Sequence, residues 1–215
     1  ATKTQDSTRL WFLACLSDPA LRAYHEASGV ALPEVEMTAR TNRGLRDVGT
    51  KYVGWIADDN RFRTTGWDRM VIEALERMGG GIAYGNDIVS PGSKPSHVFM
   101  DTAIAKELGW LIHPEMIGTF FDDVWEQLGR AMGRLKYLPD VTVAHLYTER
   151  DNLAAYFRDK DIYERWLRHD CEGQAGRCLR ALRRSSSTLT ASSSKLAVGT
   201  AKPSTAPSAS TATRQ

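Results

Sequence analysis

The sequence predicts an α/β domain in which one layer of β-sheet lies between layers of helix. Two observations predict this class. Short apolar segments bounded by turn residues alternate along the chain with longer segments whose apolar residues recur at helical spacing. The chain also has 215 residues, of which 42% are hydrophobic, and this is enough for one domain with a substantial core.

The amino-terminal part of the chain supplies three predicted strands. Leu10–Leu16 is an apolar run that predicts a buried strand, and a short helix over Ala20–Ser28 follows Pro19. Val35–Ala39 predicts a second strand, and the glycine-interrupted segment 40–49 predicts a loop. Tyr52–Ala57, in which every residue is apolar or small, predicts a strand buried on both faces of the sheet.

The remaining elements follow the same alternation. First comes a predicted helix that opens at Thr64–Asp68 and is ended by Gly79-Gly80-Gly81, and then a strand over Ile82–Tyr84 that enters a turn at Gly85-Asn86-Asp87. A strand over His97–Met100, a helix over Ala103–Leu108 and an amphipathic helix from Asp122-Asp123 through Leu135 follow. The last predicted elements are a strand within Leu138–Leu146, which begins at a Pro139-Asp140 turn, and a helix over Asn152–Leu167.

Composition sets the domain limits and the compartment. We expect residues 1–8 to be disordered, residues 9–184 to form the domain, and the Ser/Thr/Ala-rich residues 185–215 to be a disordered tail. A net charge of +2 argues against nucleic-acid binding, although a basic patch at 177–184 is an alternative to a solvated helix end. Three cysteines predict reduced thiols, and neither a membrane span nor a signal peptide is visible, which favours the cytoplasm.

The most informative stretch is the end of the predicted strand at 52–57, where Asp58, Asp59 and Asn60 follow directly. Adjacent carboxylates repel each other unless a cation or hydrogen-bond donors offset the charge. Ligands bind open α/β sheets at this end of the strands. The pattern favours a hard-metal or sugar-hydroxyl site, and a turn or helix N-cap is the structural alternative.

Two further groups stand at the ends of predicted elements. Asp122 and Asp123 open a helix, where one carboxylate caps backbone N–H groups and the other is a candidate general base. His145 ends a predicted strand and is a candidate metal ligand, with a packed or solvated histidine as the alternative. Trp67 and Trp125 are candidates for stacking on a sugar, with core packing as the alternative.

Taken together, these segments resemble the family 2-type glycosyltransferases of the GT-A fold. The resemblance spans about Leu10 to Trp166 and is carried by VGWIADDNRFRTTGWD, GIAYGNDI, FFDDVWEQLG and YLPDVTVAHLY, in that order. It implies a GT-A-like, Rossmann-like mixed sheet, mostly parallel, with helices on both faces. It also implies an enzyme that transfers sugar from a nucleotide-diphosphate donor to an unknown glycan, protein or small-molecule acceptor.

The resemblance also implies a role for each matching residue. Asp59 and His145 hold Mn²⁺ or Mg²⁺, and Asp58 contacts the donor ribose or the metal shell. Asp122, or else Asp123, is the catalytic base of an inverting transfer. Three residues complete the donor site: Asp18 at the nucleobase, and Asn42 and Arg43 beside the phosphates. Asp18 has helix capping as its alternative, and Arg43 has a solvated loop position.

The implied chemistry is coherent. A divalent ion stabilises the departing nucleoside diphosphate as a Lewis acid, and an imidazole ligand favours Mn²⁺. Members of the family begin with a further strand, whereas only residues 1–9 precede Leu10–Leu16 here, so we expect that first strand to be missing. A non-catalytic nucleotide-sugar-binding or interaction module is therefore the alternative. A nucleotidyltransferase is a third, without a glycine-rich phosphate loop to support it.

Overall fold

The structure is a computed structural model that describes residues 37–56, 60–88, 95–117, 119–145 and 153–196. Six helices and five strands make up these described parts of the chain. In order they are α1 (Met37–Asp47), β1 (Tyr52–Ile56), β2 (Asn60–Phe62), α2 (Trp67–Met78), β3 (Ile82–Asp87), β4 (His97–Asp101), α3 (Thr102–Leu108), α4 (Phe121–Ala131), β5 (Leu135–His145), α5 (Leu153–His169) and α6 (Cys171–Leu196). The mixed α/β class is thus confirmed.

The five described strands form one sheet in the order β1-β4-β3-β5-β2. Only the β3–β5 pairing is parallel, and the other three pairings are antiparallel. The expectation of a mostly parallel sheet is therefore wrong for the described strands. A parallel connection needs about a dozen or more residues and usually a helix. Residues 88–96, between β3 and β4, are too short for one, which accounts for the antiparallel pairing of these two strands.

Helices cover both faces of the sheet, as predicted. On one face, α2 packs through Trp67, Val71 and Leu75 onto Phe99 and Val143 of the sheet. The other face carries the larger hydrophobic cluster, to which all the remaining described helices contribute. β1 shows this two-sided arrangement, because its alternate side chains belong to opposite clusters. Its residues are half-buried or exposed, however, since β1 is an edge strand among those described, and the predicted full burial is wrong.

Several predicted boundaries are confirmed. α2 ends where the glycine triplet begins: Gly79 adopts a left-handed φ of 71°, its N–H donates to the carbonyl of Glu76, and the N–H of Gly80 donates to the carbonyl of Leu75. β4 and α3 begin within a residue of their predicted positions. The predicted strand at Leu10–Leu16 and the predicted helix at Ala20–Ser28 lie outside the described residues.

The predicted secondary structure of the segment before β1 is wrong. Residues 37–39 of the predicted strand and most of the predicted loop form the single helix α1. Thr38, Thr41 and Leu45 recur at helical spacing and are all buried. Because threonine is polar, the spacing of hydrophobic residues alone did not predict this buried helix face. Thr38 donates its hydroxyl to the carbonyl of Met116 at 2.6 Å, which satisfies the buried polar group.

The last helix also extends further than predicted. α6 continues to Leu196, so the first part of the segment expected to be a disordered tail from Ser185 is helical. Adding a residue to an existing helix is far easier than nucleating one, and α6 starts from a well-buried first half. Ser186 and Ser187 then donate their hydroxyls to the carbonyls of Leu182 and Arg183, one turn earlier.

Candidate functional site

The candidate site lies at the edge of the sheet where β1, β3 and β5 end. These three strands run in the same direction, because β4 is antiparallel to both β1 and β3, and β5 is parallel to β3. β2 and β4 begin at the same edge. We call it the carboxyl edge, and it is defined by Ile56, Asn60, Asp87, His97 and His145.

Strand pairing places the residue next to one predicted ligand opposite the other predicted ligand position. Asn60, which follows Asp59 directly in the chain, pairs in register with His145. Paired residues on antiparallel strands have Cβ atoms about 4.5–5.5 Å apart. The acidic pair itself, Asp58-Asp59, lies outside the described residues, and so does Asp18. Among the described residues, the pairing of Asn60 with His145 is therefore what relates the two predicted ligand positions.

A ring contact joins the carboxyl edge to the first turn of α4. Trp55 lies one residue before the end of β1, and its ring meets Phe121 edge-to-face with the centroids 5.9 Å apart. Phe121 opens α4, and Asp122 is the next residue. The contact thus places the start of α4 beside the end of β1, three residues before Asp58.

The first turn of α4 favours negative charge. Asp122 and Asp123 both lie in this turn and are half-buried. Phe120, the N-cap residue, makes no side-chain cap hydrogen bond. The positive end of the helix dipole attracts negative charge to this turn. A carboxylate in this place is a candidate general base.

Phe120 has an unusual backbone conformation for a residue with a side chain. Its φ of 61° places it in the left-handed region, the one non-glycine residue among those described to do so. Its ring stacks on Tyr163 of α5 with the centroids 5.3 Å apart. Left-handed non-glycine residues store strain and concentrate at functional sites. This one immediately precedes the helix that carries Asp122.

The end of β3 supplies two residues that sequence analysis missed. The strand continues through Asp87, where a turn was predicted at Gly85-Asn86-Asp87. Asp87 is buried at the carboxyl edge, and the side-chain oxygen of Asn86 is buried without a hydrogen-bond partner among the described residues. The signal was present in the sequence, because an apolar run ends in an acid here just as it does at Asp58. It was missed because Gly, Asn and Asp are typical of turns, so a turn was predicted there instead.

His97 is the other missed residue at this edge. It is fully buried and begins β4, in register with Ile56. Its Nε2 accepts the N–H of Gly85 at 2.9 Å, and its Nδ1 lies 3.1 Å from the hydroxyl of Ser96. The ring thus ties β3 to β4 behind the site. The signal for its burial was its place in an apolar strand, on the same face as Phe99.

A bulge in β5 shapes the same region. Between Gly85 and Asn86 the register of β3 on β5 jumps from Leu138 to Thr142. Pro139 falls within this bulge, where its missing N–H is tolerated. The predicted Pro139-Asp140 turn is therefore a bulge inside one strand over Leu135–His145, and Leu135 begins that strand instead of ending α4.

Asn42 and Arg43 both lie on α1. The side-chain oxygen of Asn42 accepts the N–H groups of Leu111 and Ile112 at 2.8 and 3.0 Å. Its amide nitrogen donates to the carbonyl of Ile112 at 2.7 Å. These bonds give Asn42 a structural role in holding the segment between α3 and α4. Arg43 is exposed, and contacts of either residue with donor phosphates stay predictions.

Trp67 and Trp125 belong to the core, which was the alternative to sugar stacking. Trp67 is 2% exposed and stacks on Phe62 with the ring centroids 4.0 Å apart. Trp125 is 1% exposed and donates its indole N–H to the carbonyl of Leu111 at 2.8 Å. Neither ring has a free face for a ligand.

A cavity of about 310 Å³ opens at the opposite edge of the sheet. It is lined by residues including Lys51, Tyr52, Glu76, Asp101 and Ser185. Asp101 accepts the N–H of Gly81 at 2.9 Å, and burial raises the pKa of its carboxyl above the ordinary value. Among the described residues, none predicted to be functional lines this cavity.

Among the described residues, no three His, Cys, Asp or Glu side chains group closely enough to hold a metal ion. Asp58 and Asp59 are outside the described residues. Within the same part of the chain, no helix has the length and apolar character needed to cross a membrane.

No family model matches the chain, and no curated protein matches it. Among solved structures, it is similar to a mannosyltransferase from Pyrobaculum calidifontis in complex with GDP-Man and Mn²⁺. The similarity covers 84% of this chain and 67% of that one, at 15% sequence identity and a TM-score of 0.44. A TM-score this low carries no argument about function.

Proposed function

We propose that the chain is a metal-dependent glycosyltransferase with a GT-A-like fold, which transfers a sugar from a nucleotide-diphosphate donor to a hydroxyl acceptor with inversion. The observation that carries the proposal is the convergence of separate segments at the carboxyl edge. Asn60 pairs with His145, and Trp55 contacts Phe121. These contacts support the proposal because β2 and β1 flank Asp58-Asp59 in the chain, β5 carries His145 and α4 carries Asp122.

The proposed ligands suit a divalent ion. Asp59 and His145 would hold it, because a carboxylate next to Asn60 and an imidazole position on the paired strand supply oxygen and nitrogen ligands from adjacent strands. Such an ion supplies Lewis-acid stabilisation to a departing nucleoside diphosphate. Asp58 would contact the donor ribose or the metal shell. Asp18, Asn42 and Arg43 remain proposed contacts to the nucleobase and phosphates.

The acceptor side of the reaction needs a base. Asp122, with Asp123 as the alternative, would take the proton of the acceptor hydroxyl. Its place in the first turn of α4 suits this role, because the helix dipole attracts negative charge there. One base across the sugar from the leaving group is the requirement of an inverting transfer.

Donor binding is the first test. At a ligand concentration of 100 times Kd, binding stabilises a protein by about 2.7 kcal/mol. For a domain of this size, that raises the Tm by about 5–10 °C. We expect Mn²⁺ with UDP or GDP to produce this rise, and Asp59→Ala to remove it. Asp47→Ala, which changes an exposed carboxylate on α1, is the matched control and should keep the rise.

Turnover is the second test. We expect Mn²⁺-dependent hydrolysis of one member of a nucleotide-sugar panel, and loss of that hydrolysis in Asp122→Asn with donor binding retained. Absence of any Tm rise with any nucleoside diphosphate at millimolar concentration would contradict the proposal. A Tm rise without turnover of any donor would favour the non-catalytic binding module instead.

A further inference from the structure

The segment between α3 and α4 is held in place by a buried carboxylate. Asp159 of α5 is 0% exposed, and it accepts hydrogen bonds from residues on either side of position 118. The N–H of Ile117 lies 3.2 and 3.1 Å from its two oxygens. Thr119 donates both its N–H, at 2.9 Å, and its hydroxyl, at 3.2 Å, to Oδ2. Three donors therefore converge on one side chain.

Other contacts from α5 hold the same segment. Arg158 donates to the carbonyl of Glu115 at 3.2 Å, and Arg165 pairs with the Glu115 carboxylate at 2.5 Å. Both arginines and Glu115 are exposed, and exposed ion pairs contribute little stability. Hydrogen bonds to a fully buried carboxylate are stronger, since an unsatisfied donor there has no water to replace its partner. Asp159 is thus the dominant contact of the three.

This arrangement bears directly on Asp122. Thr119 is followed by Phe120, with its left-handed φ of 61°, and then by the first turn of α4. A strained conformation persists only where the surroundings over-determine it. Asp159 fixes the chain on one side of Phe120, and Trp55 fixes Phe121 on the other. Together they set where the first turn of α4 begins.

We propose that Asp159 is a positioning residue for Asp122: by holding Ile117 and Thr119, it fixes Phe120 in its left-handed conformation and so sets the place of the first turn of α4 at the carboxyl edge. The inference rests on the proposed function, in which Asp122 is the base. Asp159 touches neither donor nor acceptor in this role and acts through the backbone alone.

The test compares Asp159→Asn with Asp161→Asn. The first change leaves one oxygen to accept from all three donors, removes the charge that strengthens these bonds, and puts an NH₂ group within reach of the N–H of Ile117. The second makes the same change at an exposed position on the same helix. We expect hydrogen exchange at Ile117, Thr119 and the first turn of α4 to become about tenfold faster or more in Asp159→Asn. Exchange in α6 should be unchanged, and Asp161→Asn should match the unaltered chain throughout.

Kinetics provide a readout that a merely structural role would not move. A misplacement of about 1 Å can reduce a rate about 100-fold, so we expect kcat to fall about 10- to 100-fold in Asp159→Asn, with the donor KM within about twofold. The Tm rise with Mn²⁺ and nucleoside diphosphate should persist. Thr119→Val removes one donor of the set, and it should lower kcat in the same direction by a smaller factor if Asp159→Asn fails to fold.

The outcomes separate the two proposals. Equal kcat in Asp159→Asn and Asp161→Asn, or exchange that accelerates equally in α6, would overturn the positioning role while leaving the proposed function intact. If the unaltered chain shows no donor binding and no turnover, the proposed function fails and the catalytic role of Asp159 fails with it. The exchange measurement then decides by itself whether Asp159 holds the segment.

Discussion

Replacing Gly85 with alanine tests how the carboxyl edge is built. Gly85 lies on β3 at the point where β5 bulges, and its φ is outside the left-handed region, so any cost of a side chain is steric. A Cβ atom there would lie 2.4 Å from the carbonyl oxygen of Val141 and 2.9 Å from Nε2 of His97. Both neighbours are buried, and the closer atom belongs to the backbone, which cannot rotate away.

The magnitude follows from two effects. Overpacking of this kind costs about 1–3 kcal/mol. Moving the strands apart also breaks the hydrogen bond from Gly85 to His97, which leaves a buried acceptor unsatisfied at about 1–3 kcal/mol. We therefore expect Gly85→Ala to lower the free energy of unfolding by about 2–6 kcal/mol, and the Tm by about 4 °C or more.

Urea denaturation followed by tryptophan fluorescence measures the difference, and the six tryptophans make the signal strong. Gly173→Ala is the matched control. Gly173 lies within α6, and a Cβ there meets nothing within 4 Å. It should stabilise the protein by about 0.5–1 kcal/mol through helix propensity. A loss below about 1 kcal/mol in Gly85→Ala would refute the close approach of β3, β5 and His97.

Two further predictions concern titration and reactivity. Burial raises the pKa of the Asp101 carboxyl, so folding favours its neutral form. The contribution of Asp101 to the free energy of unfolding is therefore fully present below the ordinary pKa of 3.8. It is lost as the pH rises through the raised pKa. Unfolding from about pH 3 to 7 should therefore show the advantage of the unaltered chain over Asp101→Asn falling with pH, and an advantage that grows would contradict it. Burial also raises the pKa of Cys171 to about 11 and that of Cys178 to about 12, so both buried thiols should resist alkylation at about pH 8 until the protein unfolds, as peptide mapping by mass spectrometry would show. Rapid native-state alkylation of either would contradict this.

Local sequence signals predicted much of the fold. α2, α3 and β4 were found within a few residues, because their apolar spacing and flanking glycine or aspartate act through neighbours in the chain. The signals failed where polar side chains are buried. α1 presents threonines to the core, and Asp159 shares a helix face with Ile162 and Trp166 at positions i+3 and i+7. That spacing was visible in the sequence, but a charged residue within it reads as solvated.

The candidate site divides in the same way. By itself, the sequence determined which chemistry is available: paired carboxylates after β1, a carboxylate pair opening α4 and a histidine ending β5. The tertiary structure decided which of the surrounding elements meet. Asn60 pairs with His145 between strands, and Thr119 donates a hydrogen bond to Asp159. Both contacts join residues at least 40 positions apart. Such contacts form by closing long loops, whose pairing is selected by packing across the whole sheet and not by any local pattern.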